Sequence, residues 1–259
     1  MGKSSGKVAW ITGAGSGIGR ASAIALALDG ATVILTGRRR EPLEEVAAEI
    51  TKAAKGTDGK AFAEPADAGD AKAVQAIADR IKAKHGRLDI LFNNAGLNVV
   101  LRNWDQLTPE GVDTTIDGNL RSAFYCTIAA LPMMRAQKDG LIIHTSSWAG
   151  RYVSLVSGAT YSAAKHAMLA MSESLNQQEC MNGIRSCCLC PAEVATPILD
   201  KRPVPVSAEQ RARMIQPEDM AAIVLFVAHM PASVVLNEIL VSPTHNRGYV
   251  AALQQTGRA

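Results

Sequence analysis

The sequence predicts a single-domain α/β fold in which helices cover both faces of a doubly wound parallel sheet. Three observations predict it. Short apolar, β-branched runs alternate with longer segments of helical period along the chain. The runs stay apolar instead of alternating with polar residues, as strands buried on both faces must. A glycine-rich loop stands at the first junction between a run and a helical segment.

The elements follow in order. A strand at 7–12 leads into the glycine loop, and Ile18, Ala21, Ala25 and Leu28 then recur at helical spacing until Gly30 stops that helix. The β-branched run 32–36 is a second strand; Pro42 sits in the first turn of the helix that follows and runs to about residue 54. Residues 60–66 read as a strand, 70–85 as an amphipathic helix and 88–92 as a buried strand. A helical region at 108–135, opened by Thr108-Pro109-Glu110, precedes a strand at 140–145. A helix at 159–181, a strand at 184–189, a helix at 217–228 and a last strand at 234–241 complete the series. This is a three-layer α/β/α, Rossmann-type arrangement over residues 1–259, and its chemistry belongs in the loops after the strands.

Composition bounds the function. Apolar residues make up 47% of the 259 positions and charged residues 20%, which excludes intrinsic disorder. A net charge of +3 spread along the chain gives no reason to expect a nucleic-acid partner. The longest apolar run, 221–228, is far below the ~18 residues of a membrane span, so no membrane partner is expected. The first six residues, Met1-Gly2-Lys3-Ser4-Ser5-Gly6, form neither a secretory signal nor a myristoylation site. Cys126, Cys180, Cys187, Cys188 and Cys190 match neither a disulfide framework nor a zinc spacing. They read as buried, reduced thiols of a cytoplasmic protein without a metal.

The first loop is Thr12-Gly13-Ala14-Gly15-Ser16-Gly17-Ile18-Gly19. Its glycines let backbone approach a pyrophosphate, and the helix starting near Gly17 turns its free N–H groups toward it. A turn that only joins strand to helix is the plainer alternative; its position at the first strand–helix junction argues against that. Tyr161 and Lys165 lie four apart on one helix face. A free tyrosine has a pKa of about 10, and a neighbouring ammonium is expected to lower it, giving a group that can protonate a carbonyl or deprotonate an alcohol.

Thr12 to Gly19 (Thr-Gly-x-x-x-Gly-x-Gly), Asn93-Asn94-Ala95-Gly96 and Tyr161-Ser162-Ala163-Ala164-Lys165 together resemble the short-chain dehydrogenase/reductase family, in order and over nearly the whole chain. The resemblance implies catalytic roles for Tyr161 and Lys165, and for a serine in Ser146-Ser147-Trp148-Ala149-Gly150. Alignment on the glycine picks Ser147, with Ser146 as the alternative. It also implies that Asn119 completes the catalytic group by anchoring a water that relays protons to the lysine.

The same resemblance assigns cofactor contacts to Gly13, Gly15, Ser16, Gly17, Ile18 and Gly19. It adds Asp67 and Ala68 beside the adenine, Asn94, Ala95 and Gly96, Tyr161 and Lys165 on the ribose, and Pro191, Val194 and Thr196 at the nicotinamide. Asn98, Trp148, Glu193 and Ile198 are expected to wall the substrate pocket, closed by a substrate loop at 197–216 that contains Pro203 and Pro205. Glu193 reads as a solvated acid or as a group favouring a cationic substrate. The C-terminal string from Asn237 to Thr244 is loosely similar to the serine and 3-hydroxy acid dehydrogenases. Such proteins usually form homotetramers or dimers through the helices at 108–135 and 159–181, here with Tyr125, Ile128, Leu169 and Met171.

Cofactor choice is legible without the resemblance. An NAD site puts an acid about 20 residues past the glycine loop. This chain has Gly37 there, followed by Arg38, Arg39 and Arg40. A guanidinium can grip a 2′-phosphate that a carboxylate would repel, so NADP(H) is expected, with Arg38 the first choice and Arg39 the second. The expectation is an NADP(H)-dependent oxidoreductase acting on a small carbonyl or secondary alcohol. The alternatives are a non-catalytic NADP(H)-binding sensor or scaffold, or a reductase of imines or activated C=C bonds.

Overall fold

A computed structural model describes residues 2–202 and 205–257; Pro203, part of the expected substrate loop, lies outside the described residues. The first half of the chain runs β1 (Val8–Thr12), α1 (Gly17–Leu28), β2 (Thr32–Gly37), α2 (Arg40–Ala53), β3 (Lys60–Pro65), α3 (Ala71–His85) and β4 (Ile90–Asn93). It continues with α4 (Pro109–Ile116), α5 (Ser122–Gln137), β5 (Gly140–Thr145), α6 (Ala159–Glu179), β6 (Ile184–Pro191), α7 (Ala208–Ala212), α8 (Pro217–Ala228), β7 (Glu238–Val241) and α9 (Arg247–Gln255). All pairings in the sheet are parallel, in the order β3-β2-β1-β4-β5-β6-β7.

Alternate residues of the central strands feed two cores, one on each face. Ile11, Phe92 and Ile143 pack with Leu26 of α1, Leu43 and Ile50 of α2 and Val224 of α8. Trp10, Leu91 and Ile142 pack on the opposite face with Ile77 and Ile81 of α3 and Met134 of α5. Both faces are thus buried, which is why the strands carry no polar alternation. The chain leaves β1 toward β2 and β3, then returns to β4 on the other side of β1. That reversal opens a crevice at the carboxyl ends of β1 and β4.

The caps explain the boundaries. Asp70 accepts from the backbone N–H groups of Lys72 and Ala73 at the start of α3, and Gly86 ends it with φ of 69°. Thr108 caps α4, with Pro109 in its first turn. The helix expected to run unbroken over 108–135 contains a π-helical segment, Asp117–Arg121, between α4 and α5. α7 and α9 were not expected at all. Among the described residues no helix is long and apolar enough to cross a membrane. All five cysteines are free, but Cys180, at the exposed end of α6, is not buried as expected. Met171 does not reach the surface of α6 either; it packs inward against Met168, Cys188 and Cys190.

Candidate active site

Two cavities meet at Gly13 and Gly96, across the crevice. The first, about 270 Å³, is lined by Ser16, Gly17 and Ile18, by Asn94, and by Ser147, Tyr161 and Lys165. Asn98, Pro191, Glu193, Val194, Thr196 and Ile198 also line it. The second holds Gly37, Arg38, Asp67, Ala68 and Ala95. A trough with the acid–base residues at one end and Arg38 at the other matches the two halves of a dinucleotide laid across a switch point.

The glycine loop is shaped for close approach. Gly13 and Gly17 have φ of 64° and 52°, a region that favours glycine. A Cβ on Gly19 would stand 2.3 Å from the Gly13 carbonyl oxygen, so this residue serves the packing of α1 against the loop. Gly15 lies against Pro42 of α2 instead of on a cavity wall. α1 begins with no side-chain cap and no acid in its first turn, leaving its N–H groups and positive dipole end for an anion. These features fit the pyrophosphate of a nicotinamide dinucleotide.

Asn94 ties the crevice together. Its backbone N–H reaches Thr12 Oγ1 at 3.0 Å, its Nδ2 reaches the Thr12 carbonyl at 3.1 Å, and its Oδ1 accepts from Thr145 Oγ1 at 3.1 Å. The ends of β1, β4 and β5 are thereby held in one frame.

The acid–base residues gather on that frame. Tyr161 and Ser147 line the same cavity, and Ala149 N–H donates to Ser147 Oγ at 3.1 Å. Ser146 differs: its hydroxyl is buried and donates to the Lys165 carbonyl at 2.8 Å. Lys165, 2% exposed, donates from Nζ to the Thr145 carbonyl at 2.7 Å. Asn119 sits in the π-helical segment, where its Nδ2 reaches the carbonyls of Leu97 and Thr115, each at 2.7 Å. Gly96 is the hinge of this group. A Cβ there would stand 2.8 Å from Asn119 Oδ1 and 3.3 Å from Lys165 Nζ.

The electrostatics differ from expectation in one respect. Burial pushes the Tyr161 phenol above its ordinary pKa, and the Ser147 hydrogen bond and the charges of Arg202 and Arg102 offset this only in part. Lys165 does not supply the expected lowering: its Nζ lies over the ring face, 5.5 Å from the centroid. Its own ammonium is pushed down to about 8 by desolvation.

Trp148 does not line either cavity; its ring packs against Tyr152 and Tyr249, with centroids 4.9 and 6.3 Å away. Arg39 occupies the position before α2 and lines neither cavity, and Arg40 is paired with Glu44 at 3.2 Å. Glu193 is not a free acid: it is half-buried and ion-paired with two arginines. Arg202 Nη1 donates to it at 2.6 Å, Arg247 Nε at 2.7 Å, and Arg247 Nη2 closer still. Arg102 and Arg202 line the cavity; sequence reasoning missed Arg102 and covered Arg202 only as part of the substrate loop at 197–216. No local spacing marks them, because only the fold brings positions 102, 193, 202 and 247 together.

A family model described as short chain dehydrogenase matches residues 7–204. The chain belongs to the short-chain dehydrogenase family. It is 33% identical over 251 residues to an uncharacterized oxidoreductase, YxbG, of Bacillus subtilis, covering 92% of this chain and 90% of that protein. It is 34% identical over 216 residues to a 3beta-hydroxysteroid dehydrogenase of Mediterraneibacter gnavus, covering 83% of this chain and 75% of that one. A metagenomic short-chain oxidoreductase solved in complex with NADP superposes with a TM-score of 0.79 at 32% identity, over 93% of this chain and 98% of that one. This short-chain dehydrogenase is therefore an oxidoreductase of a family that works with nicotinamide cofactors.

Proposed function

We propose that the protein is an NADP(H)-dependent oxidoreductase that moves a hydride between the nicotinamide and a carbonyl or secondary alcohol. The observation that carries this reading is the grouping of Tyr161, Ser147 and buried Lys165 around one cavity, at one end of a trough whose other end holds Arg38. Gly13, Ser16, Gly17 and Ile18 would hold the pyrophosphate, Asp67 and Ala68 the adenine, Arg38 the 2′-phosphate, and Lys165 the ribose beside the nicotinamide. When bound, the nicotinamide supplies or accepts the hydride.

The chain's residues do the rest. Ser147 hydrogen-bonds the substrate oxygen and stabilises charge developing there. Tyr161 gives that oxygen a proton in reduction and removes it in oxidation. Lys165 and Asn119 hold the relay that resupplies the proton. A sensor or scaffold without activity has no need of Tyr161, Ser147 and Lys165 in contact around one cavity. A panel of ketones and secondary alcohols followed by NADPH absorbance tests the reading. It fails if no compound on the panel changes the absorbance.

The pH profile follows from the two perturbed groups. Tyr161 keeps its proton through the neutral range because burial raises its pKa. The Lys165 ammonium, lowered to about 8, loses its charge above that pH. Reductive kcat/KM is therefore expected to fall as pH rises through about 8, while the oxidative rate keeps rising as phenolate forms. A flat reductive profile between about pH 6 and 10, with chemistry rate-limiting, contradicts this.

We also infer a homotetramer, or at least a dimer, joined through α5 and α6. Phe124 and Ile128 support it: they stand on one face of α5, 43% and 62% exposed. Light scattering at micromolar concentration is expected to give a multiple of 27.4 kDa; the single-chain mass contradicts it.

A further inference from the structure

We propose that Glu193 is a positioning residue: its carboxylate ties Arg202 of the cavity wall and Arg247 of α9 to the end of β6, and so sets the shape of the substrate end of the cavity. The kinetic consequence rests on the carbonyl-oxidoreductase reading; the tie itself does not.

Glu193 stands on a backbone that does not depend on its side chain. Ala192 N–H donates to the Val241 carbonyl of β7 at 2.8 Å. Ile215 N–H donates to the Glu193 carbonyl at 3.1 Å, and Ala195 N–H to the Ile215 carbonyl at 2.9 Å. Val194 and Ile215 form an isolated parallel bridge. Replacing the carboxylate therefore leaves residues 192–195 where they are.

The parts it holds are less secured. Pro197, Ile198, Leu199 and Arg202 line the catalytic cavity, and they come from one short 3-10 turn, Pro197–Lys201, and the residue after it. Arg202 N–H donates to the Leu199 carbonyl at 3.1 Å, so the place of Arg202 carries to that turn. None of the nine residues of α9 is buried, so little apolar burial fastens this helix. It reaches the body through Arg247 on Glu193 and through Tyr249, edge-on to Trp148 in the loop after β5. His245, Arg247 and Val250 also share a cavity with Ser207, Gln210 and Met214, and Met214 packs on Leu199 of the wall.

One carboxylate serves both parts because it has two oxygens and room for several donors. Arg247 engages both oxygens, through Nε on Oε2 at 2.7 Å and Nη2 on Oε1, and Arg202 Nη1 adds a third bond to Oε1 at 2.6 Å. A glutamine has the same size but one acceptor oxygen, and its N–H groups would face guanidiniums that can only donate. Glu193→Gln therefore keeps the packing and undoes the junction.

Limited trypsin digestion of the whole protein, followed by mass spectrometry, tests the tie without turnover. Arg211 and Arg213 are the reporters, because Arg211 pairs at 2.5 Å with Asp200 of the 3-10 turn. Glu193→Gln is expected to speed cleavage after them about tenfold or more, and to leave cleavage after exposed Lys55, beyond α2, unchanged. Arg202→Gln is expected to do the same, and the double variant to add little, because both changes remove one bond. With a ketone that the protein reduces, Glu193→Gln is expected to raise KM about tenfold and to hold kcat within about threefold, since Tyr161 and Ser147 stand outside the released wall.

Unchanged cleavage after Arg211 and Arg213 in either single variant overturns the proposal. So does equal acceleration after Lys55, which marks general loosening, and so does a fall in kcat at unchanged KM, which would place Glu193 in the chemical step. If Glu193→Gln does not fold, Arg202→Gln carries the test. Faster cleavage at the two reporters while no ketone is reduced leaves the tie standing and overturns the carbonyl reading instead.

Discussion

Tyr161→Phe is expected to lower turnover by about 10²–10⁴-fold while leaving the NADPH dissociation constant near that of the wild type. The ring remains, so the packing around Lys165 and the cofactor trough keeps its shape. Only the hydroxyl assigned to proton transfer, in the cavity it shares with Ser147, is lost. A Phe variant that keeps more than a few per cent of wild-type kcat removes Tyr161 as the acid–base group. Lys165→Ala is expected to behave differently, losing both turnover and cofactor affinity. Its ammonium is anchored to the Thr145 carbonyl and lines the cavity in which we place the nicotinamide ribose.

Arg38→Ala is expected to weaken NADPH binding about ten- to hundredfold, the loss of a charge-assisted pair worth about 1.5–3 kcal/mol, and to leave NADH almost unchanged. Arg38 is the arginine of its run that lines the second cavity, beside Asp67 and Ala68. Gly37→Asp is the complementary change and is expected to shift preference toward NADH. The backbone permits it: Gly37 does not need the left-handed region, and a Cβ there would stand 3.4 Å from Leu43 Cδ2, an ordinary contact. Fluorescence titrations with both cofactors decide the matter. Equal wild-type affinity for NADH and NADPH would mean that the arginines do not read the phosphate.

Much of this was legible in the chain itself. Continuous apolar runs announced a sheet buried on both faces, and the sheet has that form. The glycine loop announced an anion site, and Gly13 and Gly17 have the positive φ it needs. What escaped was set by tertiary geometry. The π-helical segment around Asn119 is a single turn, Asp117–Arg121, too short for the spacing of apolar residues to reveal. Trp148 turned out to pack edge-on against Tyr249, a residue from the far end of the chain. Glu193 looked like a free acid because its partners Arg202 and Arg247 are remote or unmarked in sequence. The pKa of Tyr161 was judged from a neighbour four residues away, whereas burial of its hydroxyl dominates.

The central claim is hydride transfer between the nicotinamide and a carbonyl carbon at Tyr161. Mass spectrometry of products formed from NADPH deuterated at the transferable C4 position tests it most directly, on a panel of oxo acids, ketones, imines and activated alkenes. An alcohol carrying deuterium on the former carbonyl carbon is expected. Deuterium delivered only to the carbon of an imine or an alkene, or no deuterated product from any compound, would contradict it.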